Sequence, residues 1–420
     1  MYGALAMSFV EKRDVFRPSS GAAPFRIEEI FFSRTDKRGI IQAANFIFQR
    51  VSGYSWDELL GTPHKVIRHP DMPKGLFWLV WEALNKGEAI GAYVKNMSKD
   101  GLHYWVYAVA MPFQDGFLSI RIKPTSKMLD VIETEYEALR KAELEDGVSA
   151  EDSAAKLIKR IEALGYADYS IFSSDALMHE LRARDEKMDN FPSETADRFA
   201  EMIAAANSLH DETAALIVSF EAISTVPTNM RIIAARLEPS GGAISSLAQN
   251  YWEMSEEMSF WFQNYVKGEG SNFYAIRRTL VNSQFLCGTA RVLHEVATKF
   301  ENERRSLGGV NVGDEEDQMA DLAATFITKA KTGLQQVAEE AEQILRAISM
   351  MRRFTLGLSS TRVMCSIESA RLPSGGGSLL DVIKQLEVFQ GDLVQQLDRI
   401  AAQGHIILEC TTAQLAKLGS

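Results

Sequence analysis

The sequence predicts an α+β domain of about 100 residues followed by an all-α region built from helical hairpins. Three observations lead there. Between residues 25 and 125, β-branched and aromatic residues gather in short runs separated by Asp-Lys-Arg-Gly, Lys-Asp-Gly and Gln-Asp-Gly turns, the pattern of strands and hairpins. From residue 126 onward Ala, Glu, Leu and Met dominate, with apolar residues at steps of three and four. A motif of Ala-Arg-Leu followed by Pro-Ser-Gly-Gly occurs twice in the second half.

The elements follow in order after an N-terminal extension, residues 1–24. "IEEIFFSRTDKRGIIQAAN" reads as a strand, a turn at 36–39 and a second strand. Short helices follow over 45–60. "IRHPDMPKGLFW" leads into a helix over 73–86 that stops at Gly87. Three strands come next, "AIGAYVKNMS", "HYWVYAVAMPF" and "FLSIRIK". In this order the helices cover one face of the sheet and leave a pocket between the two layers, the layout of a sensor module.

Two of these stretches carry a resemblance. "GIIQAANFIFQRVSGYSWDELLGTPHKVIRHPDMPKGLFW" and "VKNMSKDGLHYWVYAVAMP" resemble the PAS domain of the aerotaxis receptor family, over about residues 30–125. That family binds FAD in the domain and reports cellular redox state. The resemblance implies that Asn45, Arg68, His69, Asp71 and Asn96 line a flavin pocket, within a PAS sensor domain spanning 25–125. Before "VKN" the family pattern has a tryptophan, whereas this chain has Ile90, so the implied stacking ring is missing there. FAD is the implied cofactor, with FMN, haem or none as the alternatives.

The side chains support a pocket by themselves. Asp71 can cap a helix whose first turn holds Pro73, leaving amides and the positive dipole end facing the cleft. Arg68 brings a permanent charge and a planar fork suited to a phosphate or a flavin carbonyl. His69 can donate to a reduced flavin or respond to pH. The other reading is an Arg68–Asp71 ion pair with His69 capping a strand. A haem would instead use His69 or His103. Trp78, Trp81 and Trp105 read as core, and Tyr93 and Tyr104 as pocket walls. No catalytic dyad, phosphate-binding glycine loop, nucleophile elbow or metal-ligand box stands out, which favours a sensor over an enzyme.

Composition narrows the class further. With 420 residues, 46% hydrophobic and 24% charged, the chain has room for two or three domains. A formal net charge of -11 argues against nucleic-acid or anionic-membrane partners. Cys287, Cys365 and Cys410 are scattered in no metal spacing, as expected of unpaired thiols in a reducing cytoplasm. The longest apolar run, around 75–84, is well short of the roughly 18 residues of a membrane span. No secretory signal pattern opens the chain. The expectation is a soluble, cytoplasmic protein.

Residues 126–192 read as a helical linker, 193–306 as a first helical hairpin and 314–416 as a second. One apolar stripe comprises Phe199, Met202, Ala206, Leu209, Leu216, Phe220 and Ile223. The other comprises Met319, Ala323, Phe326, Ala330, Val337, Ala341, Ile344, Ile348 and Met351. Such seams build four-helix bundles and coiled coils. The repeated motif, with Arg236 and Arg371 at equivalent places, reads as a hairpin tip in each copy, since Pro breaks a helix and Gly turns it. "GEGS" at 268–271 interrupts one return helix. Both tips resemble degenerate forms of the signalling hairpin of methyl-accepting chemotaxis proteins. That resemblance implies a chemotaxis adaptor protein and a histidine kinase as partners. The alternative is a stand-alone flavin- or haem-binding regulator with a helical oligomerisation region, a possible homo-oligomer. The short connection "RSLGGVNVGD" between hairpins leads to a further expectation. The two should pack together within one chain, with the turns at Pro239 and Pro373 at the same end.

Overall fold

A computed structural model of the chain describes residues 17–190, 193–223, 226–236, 245–246, 248–253, 256–257, 260, 272–303, 312–371 and 376–419. The chain divides into two compact units, one of Met1–Ser193 with Val281–Ala330 and one of Glu194–Leu280 with Lys331–Ser420.

The first unit is built on a five-stranded antiparallel sheet. Its strands are β1 (Phe31–Asp36), β2 (Ile41–Ala44), β3 (Ile90–Met97), β4 (His103–Phe113) and β5 (Gly116–Ile122), in the spatial order β2-β1-β5-β4-β3. The turn from β1 to β2 closes on Asp36. Its Oδ1 accepts from the backbone of Arg38 and Ile40 at 2.8 and 2.9 Å, while Gly39 takes φ 77°. Register then fixes what each face carries. Across β3, β4, β5 and β1 one row reads Ile90, Ala110, Ser119, Ser33, and the next reads Ala92, Ala108, Arg121, Phe31.

On that face lie α1 (Phe46–Ser52), α2 (Trp56–Leu59), a 3-10 turn at His64–Ile67 and α3 (Lys74–Asn85). Here one expectation changes. The N-cap position of α3 is Pro73, which makes no side-chain cap, and Asp71 instead reaches Lys95 Nζ at 3.1 Å. The amide of Gly75 in the first turn donates to Glu143 Oε1 at 3.1 Å. A carboxylate from a later helix thus serves the helix end. No local sequence rule reveals a cap that arrives from residue 143.

The opposite face of the sheet carries α4 (Met128–Glu145) and α6 (Tyr169–Lys187), while α5 (Ala150–Ala163) packs on α3. The segment read as a linker is therefore packed structure, with Ile132, Tyr136, Leu139, Leu157, Ile161, Phe172 and Leu177 all buried. α5 lies against α3 so tightly that a Cβ on Gly75 would come within 2.5 Å of the backbone at Ser153 and Ala154. Glu180 on α6 is fully buried. It accepts from Tyr93 Oη (2.7 Å), Ser126 Oγ (2.6 Å), Thr125 N (2.5 Å) and Ser126 N (3.1 Å). That single carboxylate ties β3, the exit of β5 and α6 together. α9 (Asn272–Glu303) and α10 (Val312–Arg371) contribute their 281–303 and 312–330 stretches to this unit. Arg184 of α6 forks onto Glu295 at 2.7 and 2.6 Å, and Arg34 of β1 onto Glu315 at 3.0 and 2.7 Å.

The second unit contains α7 (Glu194–Ile223), α8 (Val226–Arg236), the remainder of α9 and α10, and α11 (Gly376–Gly419). α7 and α11 run antiparallel, joined by Lys417–Glu194 (3.2 Å), Thr411–Met202 (3.2 Å) and Arg399–Glu212 (2.7 Å). α10 and α11 are also antiparallel, through Arg352–Asp398 at 2.6 Å and Arg362 to Glu387 and Gln390 at 2.9 and 3.1 Å. Helices from both sequence hairpins therefore share one core within a single chain. In α7 the residues Phe199, Met202, Ala206, Leu209 and Leu216 are buried, and so is the whole stripe from Met319 to Met351. The side chains of Phe220 and Ile223, both motif turns with Pro239 and Pro373, and "GEGS" lie outside the described residues. No helix among the described residues is long and apolar enough to cross a membrane.

Candidate functional site

Between the sheet and α3 lies a cavity of about 260 Å³. Its existence follows from small residues at one level of the sheet. Ala92 pairs with Ala108 and Ile90 with Ala110, so three alanines on β3 and β4 leave room that larger side chains would fill. The roof is α3, whose Phe77, Val80, Trp81 and Leu84 fall at three- and four-residue steps on its inner face. Trp81 closes one side, its ring 3.3 Å from where a Cβ on Gly39 would stand and edge-on to Phe117 at 5.4 Å. Gly39, Pro63 and Lys65 also line the cavity.

One wall is polar, and its unpaired groups are all donors. Asn96, 2% exposed, has no partner for Nδ2. Arg68, bridged to Asn96 through the backbone, lays its guanidinium over Phe77 with 3.4 Å to the ring centroid and leaves Nε unpaired. Arg121 projects from the central strand and is 4% exposed. Its Nη2 reaches Ser33 Oγ at 2.9 Å and His64 Nε2 at 2.6 Å, while Nη1 is unpaired. His64 is held neutral, because burial together with the charges of Arg121 and Arg68 drives its pKa well below the ordinary histidine value. Burial also lowers Arg68, and brings Arg121 down to about 10, so Arg121 still carries its charge at neutral pH. The cavity lining includes no Asp or Glu.

Of the residues expected at the site, Arg68, Ile90 and Asn96 come together on the lining. Asn45, His69 and Asp71 do not. Asn45 is fully engaged as the N-cap of α1, accepting from Phe48 N and Phe32 N at 3.2 and 3.1 Å and donating to Ile30 O at 2.8 Å. His69 accepts from Asp71 N at 3.2 Å and stands edge-on to His103, 6.4 Å away. Burial lowers the pKa of His69. Tyr93 points to the opposite sheet face, toward Glu180. Tyr104 stacks on Phe31 at 5.7 Å. Trp81, read as core, lines the cavity.

Arg121, His64 and Ser33 carry no motif that marks them in the sequence as site residues. A signal existed for the first. In "FLSIRIK" the two-residue period puts Phe117, Ser119 and Arg121 on one face, and a charge at the middle of a strand flanked by others must face something polar. Among the described residues no group of three or more His, Cys, Asp or Glu side chains is placed to hold a metal ion.

Sheet, roof helix and the cavity between them define a PAS-type sensor domain, and residues 43–118 match the family model described as the PAS fold. PAS domains are sensory modules rather than enzymes. More particularly, the PAS domain is homologous to part of the aerotaxis receptor of Escherichia coli (strain K12), in a match 42% identical over 121 residues of this chain. The match covers 28% of this chain and 24% of the receptor, so the chain spans about a quarter of that relative's length. Similar solved structures include the PAS domain of a Colwellia psychrerythraea protein, 21% identical with a TM-score of 0.20, covering 23% of this chain and 86% of that one. Another is the blue-light photoreceptor Aureochrome1 LOV in its light state, 17% identical with a TM-score of 0.23, covering 26% and 90%.

Proposed function

We propose that the cavity of the PAS domain binds a flavin, FAD by analogy with the aerotaxis receptor family, and that its redox state is the signal the chain reports. The observation that carries this reading is the donor-only wall beside a narrow apolar slot. A buried donor without a partner costs about 1–3 kcal/mol. Nδ2 of Asn96 and Nε of Arg68 are therefore most economically explained by a ligand presenting acceptors, as the carbonyl-bearing edge of an isoalloxazine does. The apolar faces of Phe77, Val80, Leu84 and Ile90 suit the flat remainder of such a ring. A flavin supplies reversible electron uptake, and this chain's residues bind it, orient it and exclude water.

Haem fits the lining less well. Neither His69 nor His103 lines the cavity, and the Nε2 lone pair of His64 is already taken by Arg121. For the helical region the reading is a signalling bundle acting on a chemotaxis adaptor and histidine kinase. It is supported by the twofold sequence motif and by the packing of both hairpins in one chain.

The test is the visible absorption spectrum of the purified chain, with Arg68→Ala beside it. Bound flavin in the wild type and its loss from a variant with unchanged circular dichroism are expected. Colourless protein that takes up neither FAD nor FMN would end the cofactor reading. A full chain that fails to co-purify with a chemotaxis adaptor would end the coupling part.

A further inference from the structure

Arg121 stands on β5, the middle strand of five, with Ala108 beside it in the same row and Phe31 on the other side. Its neighbours give it space rather than charge. Nη2 is occupied by Ser33 and His64, both neutral acceptors, and no Asp or Glu lines the cavity to balance the guanidinium. For His64 to accept at Nε2, its ring proton must sit on Nδ1, so the imidazole adds no donor that competes at that nitrogen. Arg121 also lies over the Phe48 ring, 5.4 Å from its centroid, which steadies the guanidinium plane without neutralising it.

An arginine needed only for packing would be served as well by a long apolar side chain. Replacing buried charges with apolar groups of similar volume is often neutral or stabilising. An uncompensated guanidinium with a free N–H in a cavity is costly unless something binds it.

We propose that Arg121, positioned by Ser33 and His64, is a second ligand-holding residue of the cavity, selecting a ligand that presents a carbonyl or oxyanion edge along the wall from Asn96 through Arg68 to Ser33. The proposal rests on the cavity being a ligand site, and it deepens the flavin reading by assigning a residue at the β5–β1 end of the pocket. The arrangement also explains why His64 must stay neutral. A protonated imidazole against Nη2 would repel the guanidinium it now orients.

The test uses the full chain, comparing wild type with Arg121→Met and Arg121→Lys. Thermal melting is followed without ligand, and FAD binding is followed by quenching of flavin fluorescence. Without ligand, Arg121→Met is expected to melt at the same temperature as wild type or higher, because a buried charge has been removed. Its FAD affinity should fall about tenfold or more, the usual scale for a lost hydrogen bond to a charged group. Arg121→Lys, which keeps the charge but not the fork, should fall between the two. A lower melting temperature for ligand-free Arg121→Met, with FAD affinity unchanged, would make Arg121 a purely structural residue and overturn the proposal. If wild type binds no FAD, the flavin reading fails separately. The ligand-free comparison still tests the proposal: Arg121→Met melting below wild type would assign the guanidinium to the fold and overturn it.

Discussion

Replacing Glu180 by Gln should unfold the first unit at a clearly lower temperature, and the size of the effect can be worked from its partners. The carboxylate accepts four hydrogen bonds, two from side-chain hydroxyls and two from backbone amides at the start of α4. Glutamine keeps the shape but offers one oxygen and an NH2 group, so at least two donors among Tyr93, Thr125 and Ser126 lose an acceptor. Each orphaned buried donor costs about 1–3 kcal/mol. Two such donors together put the loss at about 2–6 kcal/mol. At about 2–4 °C per kcal/mol for a unit of this size, that corresponds to roughly 4–24 °C in melting temperature. The assay is calorimetry of the full chain, with Tyr93→Phe and the double variant completing a cycle. Tyr93→Phe alone should cost about 1 kcal/mol, and the two changes should be strongly non-additive. A shift within about 0.5 kcal/mol for Glu180→Gln would mean that solvent or nearby groups satisfy those donors, and that the carboxylate is not the tie between sheet and α6.

Two further outcomes can be checked. Ile90→Trp restores an aromatic surface in the cavity, and stacking worth about 1–3 kcal/mol should tighten FAD binding by about tenfold; fluorescence titration showing equal or weaker affinity would mean that the ring occupies the ligand's own space. Because the folded pKa of His64 lies below its unfolded value, stability should be full above about pH 6.5 and fall as pH drops from there toward the folded value, by at most about 1.4 kcal/mol per pH unit. His179, raised by Asp175, acts with the opposite sign, contributing below its unfolded value and losing that contribution as pH rises through the folded one. Denaturant melts of His64→Gln and His179→Gln across pH 5–8 should therefore flatten opposite limbs, and parallel profiles would refute the assignment.

Much of this architecture can be read from local pattern. The five strands, the roof helix and the apolar stripes of α7 and α10 all arise from periodicities that a short window reveals. Turn residues such as Asp36 and Gly39 mark their own conformations. What could not be read locally is pairing over distance. Glu143 at the start of α3, Glu180 under Tyr93 and Glu295 on Arg184 join residues about 68 to 111 positions apart. Charged residues in helices look like solvent-facing positions until a partner appears, which is why 126–192 read as a linker. At the site, Arg68 and Asn96 were found through the resemblance. Asn45 sits beside them in sequence logic, yet its amide is consumed in capping. Arg121 was hidden because a strand's alternation tells which face a residue takes but not whether that face holds a cavity.

The pinning of α3 bears on how a ligand would come and go. The helix that roofs the cavity is held from above by the Gly75–Glu143 bond and by backbone of α5 with no room for even a methyl group. Lifting it would break the packing of α3 on α5 around Gly75, Ser153 and Ala154. The opposite rim is lighter, a five-residue turn from Asp36 to Ile40 where Trp81 lies between Gly39 and the edge of Phe117. A route through that rim would displace Trp81 and the turn, not the roof. Residence time would then be governed by one indole and one hairpin, while the roof serves as fixed masonry against which the ligand is held.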